Sequence, residues 1–458
     1  MYPLHASVEH DLAIATEPVV DKLIAERVAA RLADQDPTLW GPEAAAEAAK
    51  RLGWTKLHAT SRDLIGEVAV LRAELASDGV DRVVLAGMGG SSLAPEVITR
   101  TEGVALTVLD TTDPGQVADA LAGDLHRTVL VVSSKSGGTV ETDSQRRAFV
   151  KAFTDAGIDA ASRIVVVTDP GSPLESSAKE AGYRRVFAAD PNVGGRYSAL
   201  TAFGLVPSGL AGIDVAELLD DAADAAAMLA EDIPDNPALL LACALGAAHA
   251  RGAEKVVLAA ASTKNGASGI LGFADWVEQL VAESTGKHGT GLLPVIAESP
   301  DAAGFADAGT DATPMAVGGA PARAKISTGG PLGGQFLLWE YATAIAGKLL
   351  GINPFDQPDV EAAKQAARAL LDAPGTGTPQ EPRFVNGAIE VYPGARGVPE
   401  GAGGDWLPAG VTTVDSALEA LVAATPEFGY LAMQAYLDRL ADASAAVLRP
   451  ELARRTGV

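Results

Sequence analysis

The sequence predicts an α/β protein of two doubly wound parallel-sheet domains, with a helical N-terminal lead-in before them and a C-terminal extension after. Three observations carry this. Short β-branched runs at residues 82–86, 106–109, 128–132 and 163–167 alternate with helical patterns, the rhythm of strands joined by crossover helices. A second set at 255–258, 292–296 and 324–327 follows the acidic, Ala-rich helical stretch at 215–235. The length of 458 residues accommodates two or three domains at roughly 100–200 residues each.

In chain order, residues 1–75 form the lead-in, where Val20, Leu23, Ile24 and Val28 recur at helical spacing and Trp40, Leu52 and Trp54 follow as apolar anchors. Residues 76–214 hold the first sheet and 215–372 the second. The stretch 373–408, with PGTGTPQEP and PGARGVPEGAGG, reads as a linker or a long exposed loop. Helical patterning resumes at Ser416 and runs through Tyr430 and Tyr436 almost to the end, so 373–458 is expected to be linker plus helical segment.

Composition narrows the function classes. Hydrophobic residues make up 48% and charged residues 21%, near the globular norm. Acidic residues outnumber basic ones 59 to 35, a net charge of -24. That field repels nucleic acid and anionic membrane surfaces, so any phosphate the chain binds must meet locally gathered cations. The one cysteine, Cys243, lies in an apolar run, reads as a small buried residue and excludes a disulfide-stabilised secreted fold. No membrane-length apolar stretch and no basic region followed by an apolar one stand out, and the cytoplasm is the expected address.

Five segments hold residues suited to chemistry. Gly87-Met88-Gly89-Gly90-Ser91-Ser92 follows a strand and precedes a helix. Its glycines let backbone approach a ligand and the helix N-terminus offers free N–H groups, although a tight turn without ligand reads the same way. Ser133-Ser134-Lys135-Ser136-Gly137-Gly138-Thr139, placed likewise, gathers hydroxyls, amides and an ammonium, as a phosphate monoester requires; the alternative is a capped polar turn. Two such turns at the carboxyl ends of separate strands suggest one crevice at a switch point of the sheet. In Gly194-Gly195-Arg196-Tyr197-Ser198 a held guanidinium can stabilise oxyanion charge or form a structural ion pair. Gln279 and Glu283, four apart, share a helix face. A carboxylate on the last turn of a partly apolar helix has the setting of a general base, or is a solvated Glu beside Lys287. Finally, GINPFDQPDVEAAK ends at Lys364, which by itself reads as a helix-surface lysine.

As an ordered set, from about Asp81 to Lys364, these segments resemble the phosphoglucose isomerase family, and VGGRYSALTAFGLVP, QLVAESTGK and GINPFDQPDVEAAK look most like its shorter bacterial forms. The resemblance implies two sugar-isomerase domains, a homodimer with sites at the subunit interface, a phosphorylated hexose as substrate, and no metal or cofactor. It implies reversible aldose-ketose isomerisation of glucose 6-phosphate and fructose 6-phosphate through a cis-enediol(ate). Ser134, Lys135, Ser136 and Thr139 would hold the phosphate, with Gly89, Gly90 and Ser91 lining the site. Glu283 would move the proton between C2 and C1, Arg196 would stabilise the enediolate, Gln279 would contact substrate, and Lys364 would assist ring opening.

The chain departs from the family pattern at one place. The ring-opening histidine of the short forms precedes a GGxP motif, but here Gly318-Gly319-Ala320-Pro321 follows Pro314, Met315, Ala316 and Val317. His288 is the substitute candidate. The ending from Tyr430 to Thr456 resembles forms fused to transaldolase, which continue into a segment with histidines; a truncated chain or weak ring opening would each account for the departure. The alternatives to the leading reading are an isomerase of another anionic hexose and a non-catalytic sugar-phosphate sensor.

Overall fold

Strict alternation along each strand of the first sheet divides its side chains between two cores. The computed structural model describes residues 3–260, 270–372, 381–392 and 407–456. Its strands are β1 (His5–Val8), β2 (Arg82–Gly87), β3 (Thr107–Leu109), β4 (Thr128–Ser133), β5 (Ile164–Thr168), β6 (Arg185–Ala188), β7 (Lys255–Ala260), β8 (Leu293–Ile296), β9 (Ala312–Val317), β10 (Ile326–Gly329), β11 (Phe384–Asn386) and β12 (Ile389–Val391). The first sheet is parallel throughout, in the order β3-β2-β4-β5-β6. Val83, Leu85, Val129, Val131, Val165 and Val167 face one way, against Val68, Leu71 and Leu75 of the helix Asp63–Ser77 and Phe203 and Val206 of the helix Ala202–Ala211. Val84, Ala86, Leu130, Val132, Ile164 and Val166 face the other way, against Phe149 and Phe153 of the helix Val140–Asp155. Burial on both faces explains why these strands read as continuous apolar runs.

The second sheet runs β1-β10-β9-β7-β8, parallel except for β1, which pairs antiparallel with β10. The lead-in therefore supplies an edge strand as well as helices. Two further strands of these sheets, β6 and β9, escaped the sequence reading. β9 carries Pro314, a residue that speaks against an inner strand because it cannot donate to a ladder. The structure accommodates it because the Pro314 carbonyl accepts from Lys325 N–H at 2.9 Å, on the side where β10 begins only at Ile326. Its missing N–H faces the side on which no ladder has yet formed.

An aromatic chain seats the lead-in. Trp54 stacks on Tyr197 with centroids 5.1 Å apart and meets Tyr341 edge-on at 5.2 Å. Tyr197 continues to Phe355 at 5.7 Å, which Trp40 meets edge-on at 4.8 Å. Such pairs contribute about 0.5–1.5 kcal/mol each beyond their buried area, and here they fix the chain on either side of Arg196 and the 353–357 turn.

The chain divides into two units, Met1–Gln357 with Leu437–Ala443, and Pro358–Tyr436 with Ser444–Val458. Both five-stranded sheets lie in the first. The second holds the helix Pro358–Asp372, the β11-β12 hairpin, and the helices Val414–Ala424 and Leu448–Thr456. The helical pattern expected from Ser416 onward is interrupted: Tyr430 and Tyr436 lie in non-helical chain. Of the stretch read as linker, 373–380 and 393–406 lie outside the described residues, and 384–391 forms the hairpin. Cys243 is buried, and burial pushes its thiol up to about 12. Among the described residues no helix is long and apolar enough to cross a membrane.

Candidate active site

Two glycine turns meet. The turn Gly89–Ser91 follows β2 and leads into the helix Leu93–Thr101. A Cβ on Gly90 would stand 2.1 Å from the carbonyl oxygen of Gly195, and one on Gly89, whose φ is +56°, would stand 2.8 Å from Gln279 Nε2. Gly90 admits no side chain, and one at Gly89 would be strained by the left-handed backbone and would displace Gln279. Ser198 Oγ ties the turns together, donating to Gly195 O at 2.5 Å and Gly90 O at 3.2 Å. Ser91 is buried within the first turn.

Gly194-Gly195 delivers Arg196 into the interior, where it is 3% exposed. Its Nε donates to Ser284 Oγ at 2.8 Å. Its Nη2 donates to the carbonyls of Pro354 at 2.7 Å and Asp356 at 3.0 Å. Its Nη1 reaches Glu283 Oε2 and Gln357 Oε1, both at 3.3 Å. The helix Phe273–Thr285 sets Gln279 one turn before Glu283, and Gln279 Nε2 donates to Glu283 Oε1 at 2.9 Å. The carboxylate is thus held by an amide on one oxygen and a buried guanidinium on the other. The sequence reading left open a pairing of Glu283 with Lys287; instead Lys287 Nζ donates to Asn353 O and Asp356 O, each at 2.8 Å, and to Asp356 Oδ1 at 2.6 Å. Burial lowers the pKa of Lys287, against the opposing pull of Asp356.

The second anion-friendly turn closes β4, next to β2 in the sheet, so both turns leave the carboxyl ends of neighbouring strands where the strand order reverses. Ser134 Oγ lies 2.9 Å from Thr139 Oγ1, and Thr139 precedes the first turn of the helix Val140–Asp155. Ser136 Oγ accepts from Gly138 N–H at 3.3 Å. Lys135 Nζ donates to Asp169 Oδ2 at 2.6 Å; burial pushes the Asp169 carboxyl up, and Lys135 opposes it.

A cavity of about 510 Å³ opens beside Gly89, Gln279 and Glu283. Ser284, Lys287, Asp356 and Gln357 are the site residues that sequence reasoning missed. The last two stand inside the GINPFDQP motif, six residues or more before Lys364. Lys364 itself lies in the second unit on the helix Pro358–Asp372, with Nζ 3.2 Å from Glu361 Oε1. His288 is exposed, with φ +55°, directly after Lys287. Residues 314–317, where the family pattern places the histidine, are buried in β9.

Comparison with known proteins supports the family resemblance. A family model described as phosphoglucose isomerase matches residues 54–315. A protein from Methanococcus maripaludis named probable glucose-6-phosphate isomerase is 29% identical over 371 residues, covering 68% of this chain and 83% of its own. A glucose-6-phosphate isomerase from a Cyanothece strain is 34% identical over 234 residues, 49% of this chain and 42% of its own, so the chain spans less than half of that relative. Among solved structures, a hypothetical protein from Thermus thermophilus superposes with a TM-score of 0.64 at 25% identity, over 80% of this chain and all of its own. A glucose-6-phosphate isomerase from Chlamydia trachomatis shares the fold at a TM-score of 0.63 and 20% identity, over 77% and 85% of the two chains.

Proposed function

The chain belongs to the phosphoglucose isomerase family, and we propose that it interconverts glucose 6-phosphate and fructose 6-phosphate through a cis-enediol(ate). One observation carries the reading. The Glu283 carboxylate, at the wall of a cavity, is gripped between Gln279 and the buried Arg196. Aldose-ketose isomerisation needs a base that takes a proton from one carbon and returns it to the next, and a fixed cation where the enediolate charge develops. Glu283 supplies the first, moving the proton between C2 and C1, and Arg196 the second. Its guanidinium is already fixed by five acceptor groups, so little reorganisation accompanies the charge.

Ser134, Lys135, Ser136 and Thr139 take the phosphate, with the Gly89-Gly90-Ser91 turn lining the sugar. Lys135 reaches a dianion only by sharing or leaving Asp169, which makes that pair the gate of the phosphate site. Lys364 assists ring opening. The working form is a homodimer in the cytoplasm. Conversion of fructose 6-phosphate to glucose 6-phosphate, followed through a coupled dehydrogenase, tests the reading. Wild type turns over, and Glu283→Gln loses at least about 10²-fold. Binding of sugar phosphate without turnover would point instead to a sensor or to another hexose.

A further inference from the structure

The cavity beside Glu283 continues as a groove between the helices Leu93–Thr101 and Phe273–Thr285, and its walls are acidic. Glu96, Asp110, Asp275 and Glu278 line it together with Glu283, against Arg100 and Arg439. Burial pushes the carboxyls of Asp110, Asp275 and Glu278 up, a sign that negative charge is costly there. A phosphorylated hexose is a dianion, so the four carboxyl groups around the approach to Glu283 oppose its entry.

Arg439 comes from outside both sheets. It belongs to the short segment Leu437–Ala443, part of the first unit although the chain on either side belongs to the second. That segment is docked rather than loose. Asp438 is 9% exposed, its Oδ1 accepts from Leu440 N–H at 2.9 Å and Ala441 N–H at 3.0 Å, and a Cβ on Gly115 would lie 3.2 Å from its Oδ2. Held this way, Arg439 forks onto Glu96, with Nη2 3.0 Å from Oε1 and Nη1 3.3 Å from Oε2. Arg100 shares the same carboxylate at 3.4 Å.

We infer that Arg439 is a positioning residue for the anionic substrate, supplying from the C-terminal extension the charge that makes an acidic groove passable toward Glu283. The inference rests on the isomerase reading but fails separately from it. The test is steady-state kinetics of the full chain with fructose 6-phosphate for wild type, Arg439→Gln, Arg439→Lys and the double variant Glu96→Gln/Arg439→Gln, at low and high salt.

The expected result is a KM at least about fivefold higher in Arg439→Gln at low salt, with the change in kcat much smaller, and a gap that shrinks as salt screens the groove. Lysine at 439 restores most of the KM, because it restores the charge. The double variant falls between wild type and Arg439→Gln, because the uncompensated carboxylate is gone. An unchanged KM in Arg439→Gln overturns the inference, as does a rise that is salt-independent and not rescued by lysine. A wild type without turnover sinks the isomerase reading alone; calorimetric binding of fructose 6-phosphate to wild type and Arg439→Gln then decides this inference, and equal affinity or no binding ends it.

Discussion

Arg196 donates from all three guanidinium nitrogens, to Ser284, to Glu283 and Gln357, and to two backbone carbonyls of the 354–356 turn. A lysine keeps the charge but has one nitrogen and no fork. Arg196→Lys is therefore expected to lower kcat/KM by about 10²–10³ and to lower Tm, since buried carbonyls lose donors; a loss of less than tenfold would show that charge alone suffices. Gly90→Ala tests the meeting of the two turns. Its Cβ would collide with a backbone oxygen at 2.1 Å, which cannot swing aside as a side chain does, so turnover is expected to collapse with a measurable fall in Tm. The sequence made Arg196 and Glu283 visible through their motifs. It did not show that they touch, because the partners of Arg196 lie 87 to 161 residues away in the chain, and no local pattern encodes such a distance. Gln357 was hidden for a related reason: a glutamine in a proline-bounded turn carries no signal until the guanidinium it faces is known.

Among the elements, the helix Leu332–Leu350 is buried along its first sixteen residues, and it carries polar groups that no described neighbour satisfies. Among the described residues neither oxygen of Glu340 has a hydrogen-bond partner, and the same holds for both amide atoms of Gln335 and the hydroxyl of Thr343. Burial raises the Glu340 carboxyl well above its ordinary range. The folded state therefore holds a proton that the unfolded chain releases, and the stability present at low pH is lost as pH rises. Glu340→Met, close in volume, is expected to gain about 1–3 kcal/mol near neutrality, read as a higher Tm whose advantage narrows toward pH 4. A variant less stable than wild type at pH 7 would mean that the carboxyl has a use in the fold. Legibility at this scale followed periodicity. The helix Phe273–Thr285 and the strands with continuous apolar runs read directly. β9 was masked by Pro314, and β1 (HASV) and β6 (RVFA) carry a single β-branched residue each, too few to mark a strand. The interruption after Val414–Ala424 was missed because the apolar residues that suggested a helix, Tyr430 and Tyr436, are exposed and pack into no core.

For the whole molecule, the acidic balance that argued against nucleic acid also sets how stability depends on pH. Burial raises the carboxyls of Asp110, Asp169, Asp275, Glu278 and Glu340, and it brings Asp221 to about 6. Each binds its proton more tightly folded than unfolded, so each contributes a negative slope of stability with pH above the unfolded carboxyl range. The opposite group has low folded values. Asp36, brought to about 2 by the Thr38 hydroxyl and amide, is joined by Glu26 beside Lys348 and Asp438 beneath the amides of Ala441 and Leu440. These contribute stability above about pH 4 that is lost as pH falls. Burial also lowers His58, which works against the acidic side below its ordinary range. One histidine faces six raised carboxyls, so the sum inclines stability downward as pH rises above the carboxyl range, with Tm declining toward pH 8. Asp221 isolates the effect. Asn keeps an oxygen for the Gly333 amide that Asp221 accepts from and has no proton to lose. The Tm of Asp221→Asn is therefore expected to match wild type near pH 4 and to exceed it increasingly through pH 6 to 7. Thermal unfolding of both proteins across that range decides it: a wild-type Tm that climbs from pH 5 to 8, or two parallel curves, would show that the raised carboxyls do not govern the stability of this fold.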